Sequence, residues 1–246
     1  MKVLLATKGL SLAFGGVVAA DNIDFELCAG ERLAVIGANG AGKTTFINMI
    51  TGYIRPNAGQ VFFDGLEITG LSPRAIVHRG IGRAFQLPQL FTEHTVRQSV
   101  QLAVAARGKR LGMWQALSAS VSTQEVDRML EIVGLAPRAD ELCSSLPEGH
   151  RKLLDIAMAL VLRPKLMIMD EPTSGVAAEE KHRLMATIMR ALKEQQVTAI
   201  FVEHDVDIVM DYATRVSAWI SGRIAADGKP EDVMKNEEVR AVVLGA

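Results

Sequence analysis

An α/β fold is predicted by three features of the 246-residue sequence. Short apolar strands alternate with stretches of helical spacing, a glycine-rich turn lies between an apolar run and a helix-like stretch, and a second apolar run, Leu166 to Met169, ends in two carboxylates. The first third reads as strands. Asn22 to Leu27 alternates, Glu31 to Ile36 is mostly apolar, and Gln60 to Asp64 follows the turn signal Pro56-Asn57-Ala58-Gly59, so an antiparallel portion leads into the strand before the glycine-rich turn. From His94 to Arg107, Val96, Val100 and Val104 recur at helical spacing. Ser122-Thr123-Gln124-Glu125 has the form of a capping box opening a helix over Glu125 to Val133. Leu87-Pro88 and Leu146-Pro147-Glu148-Gly149 bound this helical middle, after which strand patterns return at Leu166 to Met169 and Val197 to Val202. The division that follows is a core of residues 1–88 and 154–246 with a helical insertion, 89–153. The tail, Pro230 to Ala246, reads as two small helices.

Composition narrows the classes. The chain is 49% hydrophobic and 22% charged, ordinary for a folded protein, and its net charge of -1 offers no basic field to collect nucleic acid. Cys28 and Cys143 lie far apart without a Cys-x-x-Cys or His cluster, which predicts two buried thiols in a reducing compartment, not a metal site. Met1 to Thr7 lacks the regions of a signal peptide, and no apolar run approaches the roughly 18 residues of a membrane span. A cytoplasmic location is the expectation. No repeat, heptad run or low-complexity tract occurs, and Trp114 and Trp219 read as packing residues.

The chemistry starts at Gly37-Ala38-Asn39-Gly40-Ala41-Gly42-Lys43-Thr44, which fits the phosphate-cradling pattern G-x4-G-K-[ST] in its required strand-to-helix setting. Glycines let the backbone turn its N–H groups onto phosphates at a helix start whose dipole favours negative charge. Lys43 is expected to reach the β- and γ-phosphates of a nucleoside triphosphate, and the Thr44 hydroxyl to ligate magnesium. Asp170 and Glu171 stand at the carboxyl end of a buried strand, where open α/β sheets bind ligands. Asp170 suits the magnesium and Glu171 the water that attacks the γ-phosphate. Gln86 and His204 each end an apolar or aromatic stretch. A neutral amide can ligate magnesium or its water, and an imidazole can bond both γ-phosphate and attacking water. Taken singly, each also fits a surface position, and only the company of the other motifs gives it a role.

That series, Gly37 to Thr44, Gln86, Leu146 to His150, Leu166 to Glu171 and His204, resembles the ATP-binding subunit of ABC transporters over nearly the whole chain, from about Ala6 to Leu244. The resemblance implies a P-loop NTPase core, RecA-like, with an antiparallel β portion and a helical insertion subdomain. It implies ATP and Mg2+ as cofactors, with nucleotide contacts from Gly37, Asn39, Gly40, Ala41, Gly42, Lys43, Thr44 and Thr45. Phe14, just before Gly15-Gly16, matches the aromatic that stacks on adenine; a buried strand Phe is the alternative. Gln86, Asp170 and Thr44 match the magnesium ligands, and Glu171, His204 and Gln86 the catalytic set. Phe14-Gly15-Gly16, Arg83-Ala84-Phe85-Gln86, Phe91-x3-Thr95-Val96 and Gly222 to Glu231 are similar to the branched-chain amino acid importer group.

Family members pair two subunits, each nucleotide held by one P-loop and by the signature motif, typically Leu-Ser-Gly-Gly-Gln, of the other. Here Leu146, Pro147, Glu148, Gly149 and His150 stand in its place, without the serine hydroxyl and with a carboxylate where glycine is usual. Ala177 replaces the Asp or Asn usual in the loop after Glu171. A heterodimer with two unequal sites is one reading of these departures, a homodimer the other. The implied partners are transmembrane permease subunits, a second ATP-binding subunit and, indirectly, a solute-binding protein, with the chain peripheral on the cytoplasmic face of the inner (plasma) membrane. Export of a lipid or lipopolysaccharide is the runner-up function. A non-transport ABC ATPase is weaker, since there is neither a second cassette nor a coiled-coil arm. A kinase or GTPase leaves the later motifs unexplained, and the Asn-Lys-x-Asp guanine reader is missing.

Overall fold

The computed structural model describes residues 2–107 and 122–243; Trp114 lies outside them. Along the chain run β1 (Val3–Phe14), β2 (Val17–Cys28), β3 (Arg32–Gly37), α1 (Lys43–Ile50), β4 (Ala58–Phe63), β5 (Leu66–Glu67), α2 (Pro73–Arg79), β6 (Ile81–Ala84) and α3 (Val96–Arg107). Then come α4 (Thr123–Ile132), α5 (Glu148–Leu160), β7 (Leu166–Asp170), α6 (Ala178–Glu194), β8 (Thr198–Val202), α7 (Val206–Tyr212), β9 (Arg215–Ile220), β10 (Arg223–Gly228), α8 (Pro230–Val233) and α9 (Glu237–Val243). The described chain forms two compact units, Met1–Ile81 with Thr198–Ala246, and Gly82–Val197.

The first unit contains an antiparallel sheet in the order β2-β1-β4-β5. It also holds β10, β9, β3 and β8 side by side, β3 running parallel to both β8 and β9 and β10 antiparallel to β9. Parallel strands covered on both faces should read as continuous apolar runs, and Leu33 to Ile36 and Ala199 to Val202 are almost fully buried. Strand β1 carries no clean alternation because its pairing with β2 slips at several points, with Asn22 opposite in the left-handed region at φ 51°. Phe46 anchors the core, edge-on to Phe25 at 5.4 Å and tilted against Trp219 at 4.9 Å. Trp219 is buried, as its reading as a packing residue requires. Cys28 departs from the buried-thiol expectation: it ends edge strand β2 and is partly exposed, whereas Cys143 is buried.

In the second unit β7, buried at every residue, lies beside β6, where Gly82 leaves room for Met167. Helix α3 packs on α4 and α5. Val100, Leu130 and Leu154 are fully buried there, each burial worth about 1.5–3 kcal/mol against exposure. Ser122 caps α4, its hydroxyl accepting the Glu125 N–H at 3.4 Å, so the helix starts two residues before the sequence expectation. The Glu125 carboxylate is engaged by Arg107 at 2.7 and 2.8 Å and by Arg163 at 3.0 Å, which ties α3 to α4.

Candidate functional site

The proposed site residues fall into two clusters, each inside one unit. In the first, β3 ends at Gly37 and α1 starts at Lys43, and the turn between them depends on glycines at two close approaches. A Cβ at Gly37 (φ 149°) meets the Trp219 carbonyl at 2.4 Å, and one at Gly42 (φ 102°) meets the Ala19 carbonyl at 2.3 Å. The N–H of Gly222 donates to the Ala41 carbonyl at 2.9 Å, so the turn is braced by the β9–β10 connection. Ala38, Asn39 and Gly40 stay exposed, as does Thr44, with Thr45 half-buried. Lys43 is buried, its ammonium donating to the carbonyls of Gly37 at 2.6 Å and Ala38 at 3.0 Å. That places a cation against a loop exposed at Ala38, Asn39 and Gly40, a fit for an oligophosphate.

His204 joins this cluster through strand register. Val35 pairs with Val202 in parallel, so the chain leaves β8 at the same edge where β3 enters the phosphate loop, and His204 is exposed there. Its N–H donates to the side chain of buried Glu203 at 3.3 Å. Phe14, at the β1–β2 tip, is 52% exposed, which removes the buried-strand alternative and leaves a ring face available for stacking.

The second cluster joins residues that the sequence keeps far apart. The Gln86 amide donates to the Glu171 carboxylate at 2.7 Å, and Arg83 reaches Asp170 at 3.4 Å. Glu171 sits in the left-handed region at φ 50°, uncommon for a residue with a side chain. Lys152 and Asp155 on α5 complete the cluster; composition and motif reading did not single them out. Lys152 donates to the Glu171 carbonyl at 2.8 Å and to that of Gln86 at 3.4 Å, while Asp155 accepts the Phe85 N–H at 3.2 Å. Burial pushes the Asp155 carboxyl up to about 6, against the pull of the Phe85 and Gln89 N–H groups and of Lys152. The detectable signal was two charges three residues apart within an otherwise apolar run, Leu153, Leu154, Ile156 and Ala157, that is buried all round the helix.

Leu146 to His150 leads into α5, with Pro147 at the cap position and Glu148 in the first turn; no side chain caps the helix. Glu148 lies against Gly175, whose Cβ position is 3.6 Å from its Cγ. Ala177 likewise starts α6 without a side-chain cap. Burial, then the charge of Arg138, lowers the His150 imidazole below its usual range, favouring the neutral ring.

A phosphate loop on a parallel sheet, with an antiparallel β portion and a helical unit containing a strand-end carboxylate pair, defines an ATP-binding cassette. The sequence model of the family described as ABC transporter matches residues 20–174, and the chain belongs to that family. It is an ATP-hydrolysing subunit of the transporter class. The probable branched-chain amino acid transport ATP-binding protein LivG of Archaeoglobus fulgidus is 36% identical over 248 residues, covering 99% of this chain and 96% of that protein. The high-affinity branched-chain amino acid transport ATP-binding protein LivG of Escherichia coli K12 is 32% identical over 250 residues, covering 98% of each. Among solved structures, the ADP conformation of MJ1267, an ATP-binding cassette of an ABC transporter, superposes with a TM-score of 0.87 at 29% identity over 100% of both chains. Among the described residues no helix is long and apolar enough to cross a membrane.

Proposed function

We propose that this chain powers import of branched-chain amino acids or a related small solute across the inner membrane, acting from its cytoplasmic face on permease subunits. Near-full-length likeness to proteins named for branched-chain amino acid transport supports the cargo class. The observation that carries the catalytic assignment is the 2.7 Å bond between Gln86 and Glu171. It joins a neutral amide to the carboxylate best placed, at a strand end, to accept a proton from water. Lys43 and the backbone of Gly37 to Gly42, with Asn39 and Thr45 beside them, hold the triphosphate, and Phe14 stacks on the base. Glu171 orients and polarises the attacking water, and His204 bonds the γ-phosphate and that water. Among the described residues no three His, Cys, Asp or Glu side chains form a metal-holding group. Magnesium needs few protein ligands when phosphate supplies others, and by resemblance to the family Thr44, Asp170 and Gln86 are each assigned as one. Bound magnesium would neutralise charge developing on the phosphate oxygens.

Residues 89–153, part of the second unit, act as the helical subdomain, and 1–88 with 154–246 as the nucleotide-binding core. The exposed Leu87 and Phe91, 72% and 57% accessible, suit the permease contact. A second ATP-binding subunit receives Leu146 to His150, and a solute-binding protein contributes only through the permease. Purification from detergent-solubilised membranes, with identification of the proteins that accompany the chain, tests this. Permease subunits and an amino-acid receptor are the expected companions. A lipid-handling partner would replace import with export, and recovery of no membrane protein would end the transport reading.

A further inference from the structure

Lys152 and Asp155 stand one turn apart on α5, 4% and 9% exposed. Charges this deeply buried are costly unless they make strong bonds, and a helix needing only to pack would carry apolar residues there, as Leu153, Leu154 and Ile156 do on either side. Both charges bond to backbone. The Asp155 carboxylate takes the N–H groups of Phe85 and Gln89, and Lys152 takes the carbonyls of Gln86 and Glu171. The loop is thus gripped on both sides of Gln86, and the same helical turn holds the main chain of Glu171, itself at a strained φ of 50°.

We propose that Lys152 and Asp155 are positioning residues that fix Gln86 against Glu171 by fastening both to α5, the helix that begins at Glu148. The proposal rests on the catalytic reading of Gln86 and Glu171. Its consequence is mechanical: whatever docks on Leu146 to His150 and shifts α5 carries the amide and the carboxylate with it, so occupancy of that motif is relayed to the hydrolytic pair.

The experiment uses the full chain carrying Asp155→Asn, whose single amide oxygen replaces two carboxylate acceptors and whose NH2 opposes a backbone donor. Amide exchange over residues 84–90 should rise about tenfold while residues 37–50 exchange as in wild type. Turnover should fall about tenfold with KM for ATP held within about twofold. Unchanged exchange at 84–90, a rise spread over the whole second unit, or turnover preserved despite faster exchange overturns the proposal. Should the Asn variant not fold, Gln89→Pro removes one donor from an exposed position and leaves Asp155 in place; it should lower turnover at constant KM, and unchanged turnover overturns the proposal. Normal turnover in Glu171→Gln would instead fail the catalytic reading, while exchange at 84–90 still reports on the grip.

Discussion

The phosphate loop and the Gln86–Glu171 cluster solve opposite problems. The loop presents backbone from eight consecutive residues, and what matters is that side chains stay out: a Cβ at Gly42 would lie 2.3 Å from the Ala19 carbonyl. The second cluster presents side chains from three segments, Arg83 to Gln86, Lys152 to Asp155 and Asp170 to Glu171, joined by bonds as short as 2.7 Å. The first is one continuous stretch of chain in which Gly37 and Gly42 leave no room for a Cβ; the second is made by packing and depends on residues that touch no ligand. Binding and hydrolysis should therefore fail separately.

The largest effect should break the second region alone. Glu171→Gln should lower turnover by at least about a hundredfold while ATP binding persists, since an amide cannot accept the proton of the attacking water. Near-normal turnover in single-turnover kinetics would remove the carboxylate from that role. Lys43→Ala should break the first region, weakening nucleotide affinity about thirtyfold through loss of a charged donor, as titration with a fluorescent ATP analogue reads out. If affinity survives and only turnover drops, the two regions are not separable in this way.

A pH series sharpens the contrast further. Folding holds the Asp155 carboxyl at about 6, above its usual range, so the folded chain keeps a proton that the unfolded chain releases. Stability should fall by about 2 kcal/mol as pH rises from about 4 to about 6, then level off, and Asp155→Asn should flatten that slope in denaturant unfolding. An unchanged slope in the variant would assign the dependence to other groups. The smallest effect is reserved for the α5 start: Glu148→Gly should raise turnover of the reconstituted complex by about threefold if the carboxylate repels phosphate across a subunit pair. No change in turnover or nucleotide affinity removes the argument for two unequal sites.

The sequence located most elements because their signals are local. The Leu33 to Ile36 and Leu166 to Met169 runs, the Val96, Val100, Val104 spacing and the Ser122 cap each report on a neighbourhood of a few residues. Strand β1 and the β9–β10 hairpin were not anticipated. In β1 the bulged pairing with β2 breaks the two-residue period that would have announced it, and β9 is so fully buried on both faces that its Val216, Ala218 and Trp219 carry no alternation.

The phosphate loop, with its strand before and its helix after, was determined by the sequence alone, because glycine spacing is a statement about backbone torsions. The carboxylate doublet at the end of an apolar run was legible for the same reason. Only the tertiary structure decided that Gln86 bonds Glu171, that a buried turn of α5 holds the backbone of both, and that Phe14 is exposed while Cys28 is partly so. Those outcomes depend on which segments meet across 85 positions of chain, and burial energy, which selects the meeting, is summed over the whole core and written in no single motif.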